Sequence, residues 1–350
     1  MSRIAPAPLQ DFATDVLIAC GITADHARIV ARHLVAADLA GVPSHGVGQL
    51  VRYCTAIDSG RVNLRPRMTH SATGAILHVD GDGAFGFVVA EQAMALAIGA
   101  AGVHGVGLAL VRNSSHFGRG APYAMQAAKA GMIGVVLSNA APTVALLGGR
   151  TPEIGTNPIA FAAPAGASGP FLYDMAITGV ARGRLRRAAE AGEALAEGIA
   201  VRPDGQPART AAEAMAGVLL PFGGFKGANI AMTVEILAGV LSGAAVGREV
   251  RGMHAGSSGP AGTGHFLMAI DIAAIMPLAA FEARLRGWLD GVAARAAADG
   301  AEEVRLPGIR AATTTQANMD AGVALSQATR RALAGLAGRV GVAVPDWASP

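Results

Sequence analysis

Cysteine is nearly absent: Cys20 and Cys54 are the two in 350 residues, and they stand far apart in the chain. That excludes a disulfide-stapled small fold and a thiolate zinc centre, which need more cysteines at short spacings. Lysine is equally scarce, with Lys129 and Lys226 alone among 28 basic residues. The formal net charge is +3, and no Lys/Arg run draws a stripe along one face, so a nucleic-acid partner is not expected. The longest basic cluster, Arg182–Arg187 (RGRLRR), reads as the solvated face of one helix. Charged residues make up 15% of the chain and aromatics 4%, against 52% hydrophobic residues, which excludes a disordered chain. The opening MSRIAPAPLQDF lacks the apolar run of a secretory signal, and the cytoplasm is the expected compartment.

Long hydrophobic runs are few. Gly227–Gly247 (GANIAMTVEILAGVLSGAAVG) is long enough to suggest a membrane span, but it carries Glu235, has no flanking aromatics and has no second span beside it. It reads as a buried helix of a large α/β protein, and no membrane partner is expected.

What the chain has in excess is glycine, 47 residues in all. Three of them, Gly81, Gly83 and Gly86 in VDGDGAFG, spell the G-x-G-x-x-G of a dinucleotide-binding turn. A Rossmann unit also needs an acidic residue at the end of the next strand. That strand here ends at Arg112 and Asn113, while Asp80 and Asp82 stand in the turn itself, where they would repel a pyrophosphate. An arginine could accept a 2′-phosphate, yet a chain this rich in glycine produces the pattern by chance. VDGDGAFG therefore reads as a structural strand-to-helix turn.

Helical spacing marks Pro8–Cys20 and Asp25–Leu39, with Thr23 capping the second, and a short helix over Val47–Ile57. Arg61–Thr73 is polar and contains proline, and it reads as a linker or crossover. A strand–helix rhythm follows: strands Ala75–Asp80, Gly105–Arg112 and Met132–Ser138 alternate with helices Phe87–Gly102 and Ala121–Ala130. Beyond Gly155 the clearest strands are Phe171–Met175 and His265–Ile272. Helices are expected over Ala228–Leu241, Pro277–Ala298 and Val323–Val340, with a Gly/Ser-rich loop over Arg251–Gly264. The two helical ends flank a sheet-rich middle, which suggests that they join into one domain around it.

Four segments hold polar side chains in flexible backbone. Ser44–Gly46 (SHG) offers an imidazole suited to proton exchange near neutral pH, although a capping serine beside a surface histidine would read the same. Asn113–Gly120 (NSSHFGRG) puts His116 after a strand, where α/β sheets bind ligands, or forms an ordinary turn. Ser138–Phe161 is dense in Asn, Thr, Gly and Pro and offers amides and backbone N–H groups. Pro221–Gly227 (PFGGFKG) sets Lys226 at a helix start, where anions gather. No G-x-S-x-G elbow and no metal-ligand spacing is present, so no metal is expected. The mixture suits proton transfer beside an anionic cofactor.

Seven motifs in order, ADLAGVPSHGV, NSSHFGRGAPYA, GMIGVVLSNAAPTVALLGGRTPEIGTNPIAFAAP, DMAITGVARGR, LLPFGGFKG, VEILAGVLSGA and GHFLMAID, resemble the malate/L-lactate dehydrogenase family of the non-Rossmann type. That family also includes ureidoglycolate, sulfolactate, diketogulonate and cyclic-imine oxidoreductases. The resemblance implies an α/β fold with a non-Rossmann NAD(P)-binding sheet domain over 75–272. Residues 1–74 and 273–350 would form a helical domain for substrate and dimerisation. It further implies a homodimer, NAD or NADP as cofactor, and hydride transfer to or from a small 2-hydroxy/2-oxo acid. Reduction of a piperideine- or pyrroline-2-carboxylate is the alternative. His45 would be the acid/base, assisted by Ser44, with His116 the other candidate. Gln49, Arg52 and Tyr53 fall on the substrate segment. His116, Phe117, Ser138, Asn139, Thr156, Asn157, Asp174, Met175, Ala176, Lys226 and His265 fall on segments that line the cofactor site.

Two positions depart from the family pattern SHGVxRLxRY and its later Gly-Glu. Gln49 stands where an arginine would grip the substrate carboxylate, and Ile309 follows Gly308 in place of the glutamate. A neutral amide cannot form the charge-assisted fork. Arg52, or an arginine elsewhere, then takes over the anchor, or the substrate is less acidic or differently shaped, or the scaffold has lost activity and become a binding protein.

Overall fold

The computed structural model describes residues 3–348 except 167–168, 181–184, 186–187, 190–191, 254–258 and 296–303. The arginines of the Arg182–Arg187 cluster therefore lie outside the described residues, as does the middle of the Arg251–Gly264 loop.

Three helices open the chain: α1 (Pro6–Ala19), α2 (Ala24–Leu39) and α3 (Leu50–Asp58). The Thr23 hydroxyl accepts the His26 N–H at the start of α2, as the sequence suggests. Then come β1 (Thr69–Thr73), β2 (Ile76–Asp80), α4 (Gly86–His104), β3 (Val106–Ser114), α5 (Ala121–Lys129), β4 (Met132–Ser138), β5 (Ile159–Ala163) and β6 (Phe171–Met175). A small two-stranded ladder, β7 (Ala200–Val201) with β8 (Val218–Leu219), brackets α6 (Ala211–Ala216). The chain continues with α7 (Phe225–Glu235), which runs into a wider π turn over Ile236–Val240, then β9 (Thr263–Asp271). It ends with α8 (Leu278–Ala294), α9 (Ile309–Ala321) and α10 (Gln327–Val340).

The main sheet runs β1-β2-β3-β9-β4-β5-β6, and only β2 and β3 pair in parallel. This is the α/β, non-Rossmann class expected from the sequence, since a dinucleotide fold would be mostly parallel. Helices α4 and α5 cover one face, and glycine makes that packing close. A Cβ on Gly107 would lie 1.9 Å from the Ala97 carbonyl of α4, and one on Gly134 2.5 Å from that of Ala124 in α5. The opposite face carries Leu110, Leu137 and Phe266 against Val234 and Ala238 of α7 and its π turn.

A second core joins the chain ends: Leu9, Val16, Leu34, Leu50 and Tyr53 pack with Leu333, Leu336 and Ala337 of α10. It is tied to the sheet by Glu91 of α4. That carboxylate accepts Arg32 Nη2 at 2.7 Å and lies 2.9 Å from His33 Nε2, both on α2. Hydrogen bonding from His33 and then Arg32 outweighs desolvation and draws the Glu91 carboxyl down to about 2.

Three departures from the sequence reading have physical causes. Strand β1 lies where a linker is expected, because all five of its residues are exposed on an edge strand and carry no apolar alternation. Helix α9 has no buried residue, so TTTQANMD shows no stripe. The Gly227–Gly247 run is not a fully buried helix: it stays helical only to Val240, with Met232, Ile236, Val240 and Leu241 exposed on one side. Among the described residues, the helix long and apolar enough to span a membrane is α4 instead, and it packs on the sheet.

Candidate active site

The turn between α2 and α3 places the first histidine. Pro43–His45 makes one 3-10 turn, and Ser44 Oγ lies 3.0 Å from His45 Nδ1. Behind the turn stands Asp38, a buried carboxyl on the apolar face of α2, which accepts the Val47 N–H at 2.7 Å. Gly46 is required here, since a Cβ would come within 1.9 Å of Asp38 Oδ1. Desolvation pushes the Asp38 carboxyl up to about 7, against the pull of the Val47 N–H.

The second histidine comes from the loop between β3 and α5. Tyr53 Oη meets His116 Nδ1 at 2.8 Å, and the Gly118 N–H points at the same nitrogen at 3.4 Å. The Gly118 N–H makes Nδ1 an acceptor, which places the proton of a neutral ring on Nε2. The imidazoles of His45 and His116 stack with centroids 5.9 Å apart and planes 20° from parallel. The glycine-rich turn before α4 serves this loop. The Gly86 N–H donates to Ser115 Oγ at 3.1 Å, Ser115 Oγ donates to the Ala84 carbonyl at 3.0 Å, and a Cβ on Gly86 would strike the Ser115 carbonyl. VDGDGAFG is thus a structural turn, and its Asp80 holds Arg112 and Asn113.

Charges surround the pair. Burial pulls the His45 imidazole below its ordinary value; the Asp174 carboxylate opposes that shift, while Arg119 and Arg52 reinforce it. Asp174, near the end of β6, accepts the Ala121 N–H at 3.0 Å and lies 3.5 Å from Arg119 Nε. Gln49 is well used: its Nε2 donates to the Ser44 carbonyl at 2.7 Å and its Oε1 accepts from Arg52 Nη1 at 3.4 Å. Arg52 Nε is buried and has no hydrogen-bond partner among the described residues. Tyr53 is fully buried between Phe85 and Phe87, which raises its phenol well above the ordinary value.

The remaining sequence candidates divide by exposure. His265 is fully buried on β9, with Ser138 Oγ 2.8 Å from Nδ1, Ser114 Oγ 2.8 Å from Nε2, and the Phe117 ring stacked 4.8 Å away. Desolvation pushes its pKa down to about 3. Asn139 and Asn157 are also buried, and both amides donate to Glu235, at 3.1 and 2.7 Å. Glu235 also accepts the Gly247 N–H at 2.8 Å. Thr156 and Ala176 are half-buried, Met175 is exposed, and the Thr156 carbonyl accepts the Ile177 N–H at 3.0 Å, which joins the two segments. Lys226 is exposed in the first turn of α7. Ile309 is exposed at the start of α9, after a Gly308 whose Cβ would touch the Leu172 carbonyl of β6.

Sequence reasoning missed Asp38 and Glu235 as parts of the site. Both are acidic residues in phase with the apolar positions of their helices, after Val30, Ala31 and Leu34 in one and Ala228 and Ala231 in the other. That phase was the available signal, because a carboxylate on a buried face needs partners.

The family model described as malate/L-lactate dehydrogenase matches residues 4–334. The chain belongs to this family. Its members are oxidoreductases, and this chain is an enzyme of that class. It is 37% identical over 349 residues to a malate dehydrogenase of Pyrococcus abyssi, covering 97% of this chain and 95% of that one. It is 34% identical over 271 residues to a delta(1)-pyrroline-2-carboxylate reductase of Ancylobacter novellus, covering 77% and 79% of the two chains. Among solved structures, a sulfolactate dehydrogenase of Methanocaldococcus jannaschii superposes with TM-score 0.91 at 32% identity, covering 98% of each chain.

Proposed function

We propose that the chain is an NAD(P)-dependent oxidoreductase of small 2-hydroxy/2-oxo acids, with His45 as the acid/base. One juxtaposition carries this reading: a His45 imidazole held neutral near pH 7 beside Arg52, whose buried Nε is an open donor. The pairing supplies a proton acceptor and a carboxylate anchor within one cluster. A bound nicotinamide supplies or takes up the hydride. His45 takes the substrate hydroxyl proton in one direction and returns it in the other, and such help is worth roughly 10²–10⁴-fold. Ser44 fixes the ring through Nδ1, and Tyr53 holds His116 alongside. Gln49 orients Arg52 rather than gripping the acid itself.

For the cofactor, the residues present fit an anionic ligand at the start of α7. Gly223 and Gly224 adopt left-handed φ of +58° and +63°, and a Cβ on either would meet nothing within 4 Å, so the turn before Lys226 is open. Thr156, Met175, Ala176 and Lys226 would touch the cofactor. Phe117, Ser138, Asn139, Asn157 and His265 would hold the wall behind it, with Asp174 beside His45. On this reading the sheet and the joined chain ends are two domains with the cleft between them. The chain is a cytoplasmic homodimer whose interface would cover the apolar side of α7.

A second reading, reduction of a cyclic imine carboxylate, is favoured by Gln49. With Arg119 paired to Asp174, Arg52 is the arginine beside His45 whose buried Nε has no partner among the described residues, which suits a single carboxylate. The geometry of Gln49 argues against a decayed scaffold, since both ends of its amide are engaged. Titration of a sedimentation-checked dimer with NADH and NADPH, followed by nicotinamide fluorescence, tests the reading. Saturable enhancement with one of them is expected, and then turnover with pyruvate-like acids or with cyclic imines. Binding of neither would overturn it.

A further inference from the structure

The two cysteines lie 34 positions apart in the chain and meet in space. Cys20 is the C-cap of α1, Cys54 lies in the second turn of α3, and their Sγ atoms are 2.9 Å apart as free thiols. A disulfide bond is about 2.05 Å long, so closure requires a movement of under ~1 Å. The two sulfurs are unequal. Cys54 is fully buried, whereas Cys20 is half-buried at the surface. Next to them runs the ion pair of Asp58, at the end of α3, with Arg339 of α10. The neighbouring Cys54 thiol draws the Cys20 thiol below its ordinary value, aided by Arg339, while Cys54 is pushed up. Cys54 follows Arg52 and Tyr53 on α3, but neither sulfur takes part in the proposed proton or hydride transfer, so the pair does not rest on that reading.

We propose that Cys20 and Cys54 form a reversible dithiol–disulfide site, with Cys20 the attacking sulfur and Cys54 the resolving one, whose substrate is a low-molecular-weight disulfide. The Cys20 thiolate attacks one sulfur of the disulfide RSSR. That S–S bond breaks, RS⁻ leaves and is protonated, and Cys20 carries the R–S group. Cys54 then attacks Cys20 Sγ, its proton passing to the second RS⁻ as that group leaves as RSH. Two protein thiols are oxidised by two electrons, and one RSSR is reduced to two RSH. Attack begins at Cys20 because it is the partly exposed residue of the two, and resolution is fast because the second sulfur is already in contact.

The test uses the whole reduced protein, incubated natively with glutathione disulfide, alkylated under denaturing conditions and digested without reductant. A Cys20–Cys54 cross-linked peptide is expected, with alkylation lost at both positions and restored by dithiothreitol. Cys54→Ser should instead accumulate one glutathionyl group on Cys20. In Cys20→Ser, Cys54 should remain unmodified. Full alkylation of both cysteines after a large excess of disulfide would overturn the proposal, as would a mixed disulfide on Cys20 that persists in the unchanged protein.

Discussion

His45 and His265 are the same side chain in opposite circumstances. Each has a serine hydroxyl within 3.0 Å of a ring nitrogen, and burial lowers the pKa of each. At His265 both nitrogens are taken by serines, Phe117 covers a ring face, and no solvent reaches it. At His45 one nitrogen is held by Ser44, and Asp174, Arg119 and Arg52 set competing fields around the ring. The same division runs through the carboxylates, where Glu235 is saturated by two asparagines and a backbone N–H while Asp174 is shared with Arg119. A fully partnered group has no chemistry left to offer, and its role is to fix the backbone around it. A partly partnered one can still exchange a proton.

Substituting the two histidines separately breaks the comparison most sharply. His45→Gln should lower kcat by roughly 10²–10⁴-fold, the loss of general acid–base help, while the thermal midpoint changes little. His265→Ala should do the reverse. Leaving two serine hydroxyls and a ring-sized space in the core costs about 3–5 kcal/mol, read from urea unfolding. A His265→Ala variant as stable as the parent would contradict the sealed network, and a fully active His45→Gln would move the proton role to His116.

Glu235→Ala probes the sealed side by a smaller amount. It removes the acceptor of one N–H on each of two buried amides, which keep the Ala245 and Ala231 carbonyls, and that of the Gly247 N–H, for a loss of about 3 kcal/mol in all. Because those amides belong to the loops after β4 and before β5, KM for the nicotinamide should rise more than KM for the acid. Equal rises in both would show that Glu235 serves the fold as a whole rather than these loops.

How much of this was legible in the sequence depends on how each residue signals itself. Met132–Ser138 and Phe171–Met175 are strands as expected, since apolar runs between turn residues mark them. SHG and NSSHFGRG were visible because histidine between glycines is conspicuous, and the family motifs made them specific. What pairs them was not visible. The Tyr53–His116 contact spans 63 positions and the Asn157–Glu235 contact 78, and no local pattern encodes such pairs. Edge strand β1 and helix α9 bury nothing that would create a period. Cys20 and Cys54 looked isolated for the same reason, since only the packing of α1 on α3 brings them together.

The smallest effect is also the most selective, because it opposes one group from each side. The folded-state pKa of His265, about 3, lies below its ordinary 6.5, so the unfolded chain binds the extra proton between them. Its contribution to stability is therefore present above pH 6.5 and lost as the pH falls toward 3. Asp38 is an acid with its folded value raised from 3.8 to about 7, so the folded chain holds the extra proton. Its contribution is present at low pH and lost as the pH rises through 7. Between about pH 4.5 and 5.5 these two slopes are each about 1.4 kcal/mol per pH unit and of opposite sign, so they offset one another. In Asp38→Asn, whose amide oxygen can still accept the Val47 N–H, the slope of unfolding free energy against pH across that window should exceed the parent's by the Asp38 amount. In His265→Gln it should lie below the parent's by the His265 amount. Urea midpoints taken at half-unit steps of pH measure both, and a variant whose profile runs parallel to the parent's would mean that the group it replaces titrates at an ordinary value despite its burial.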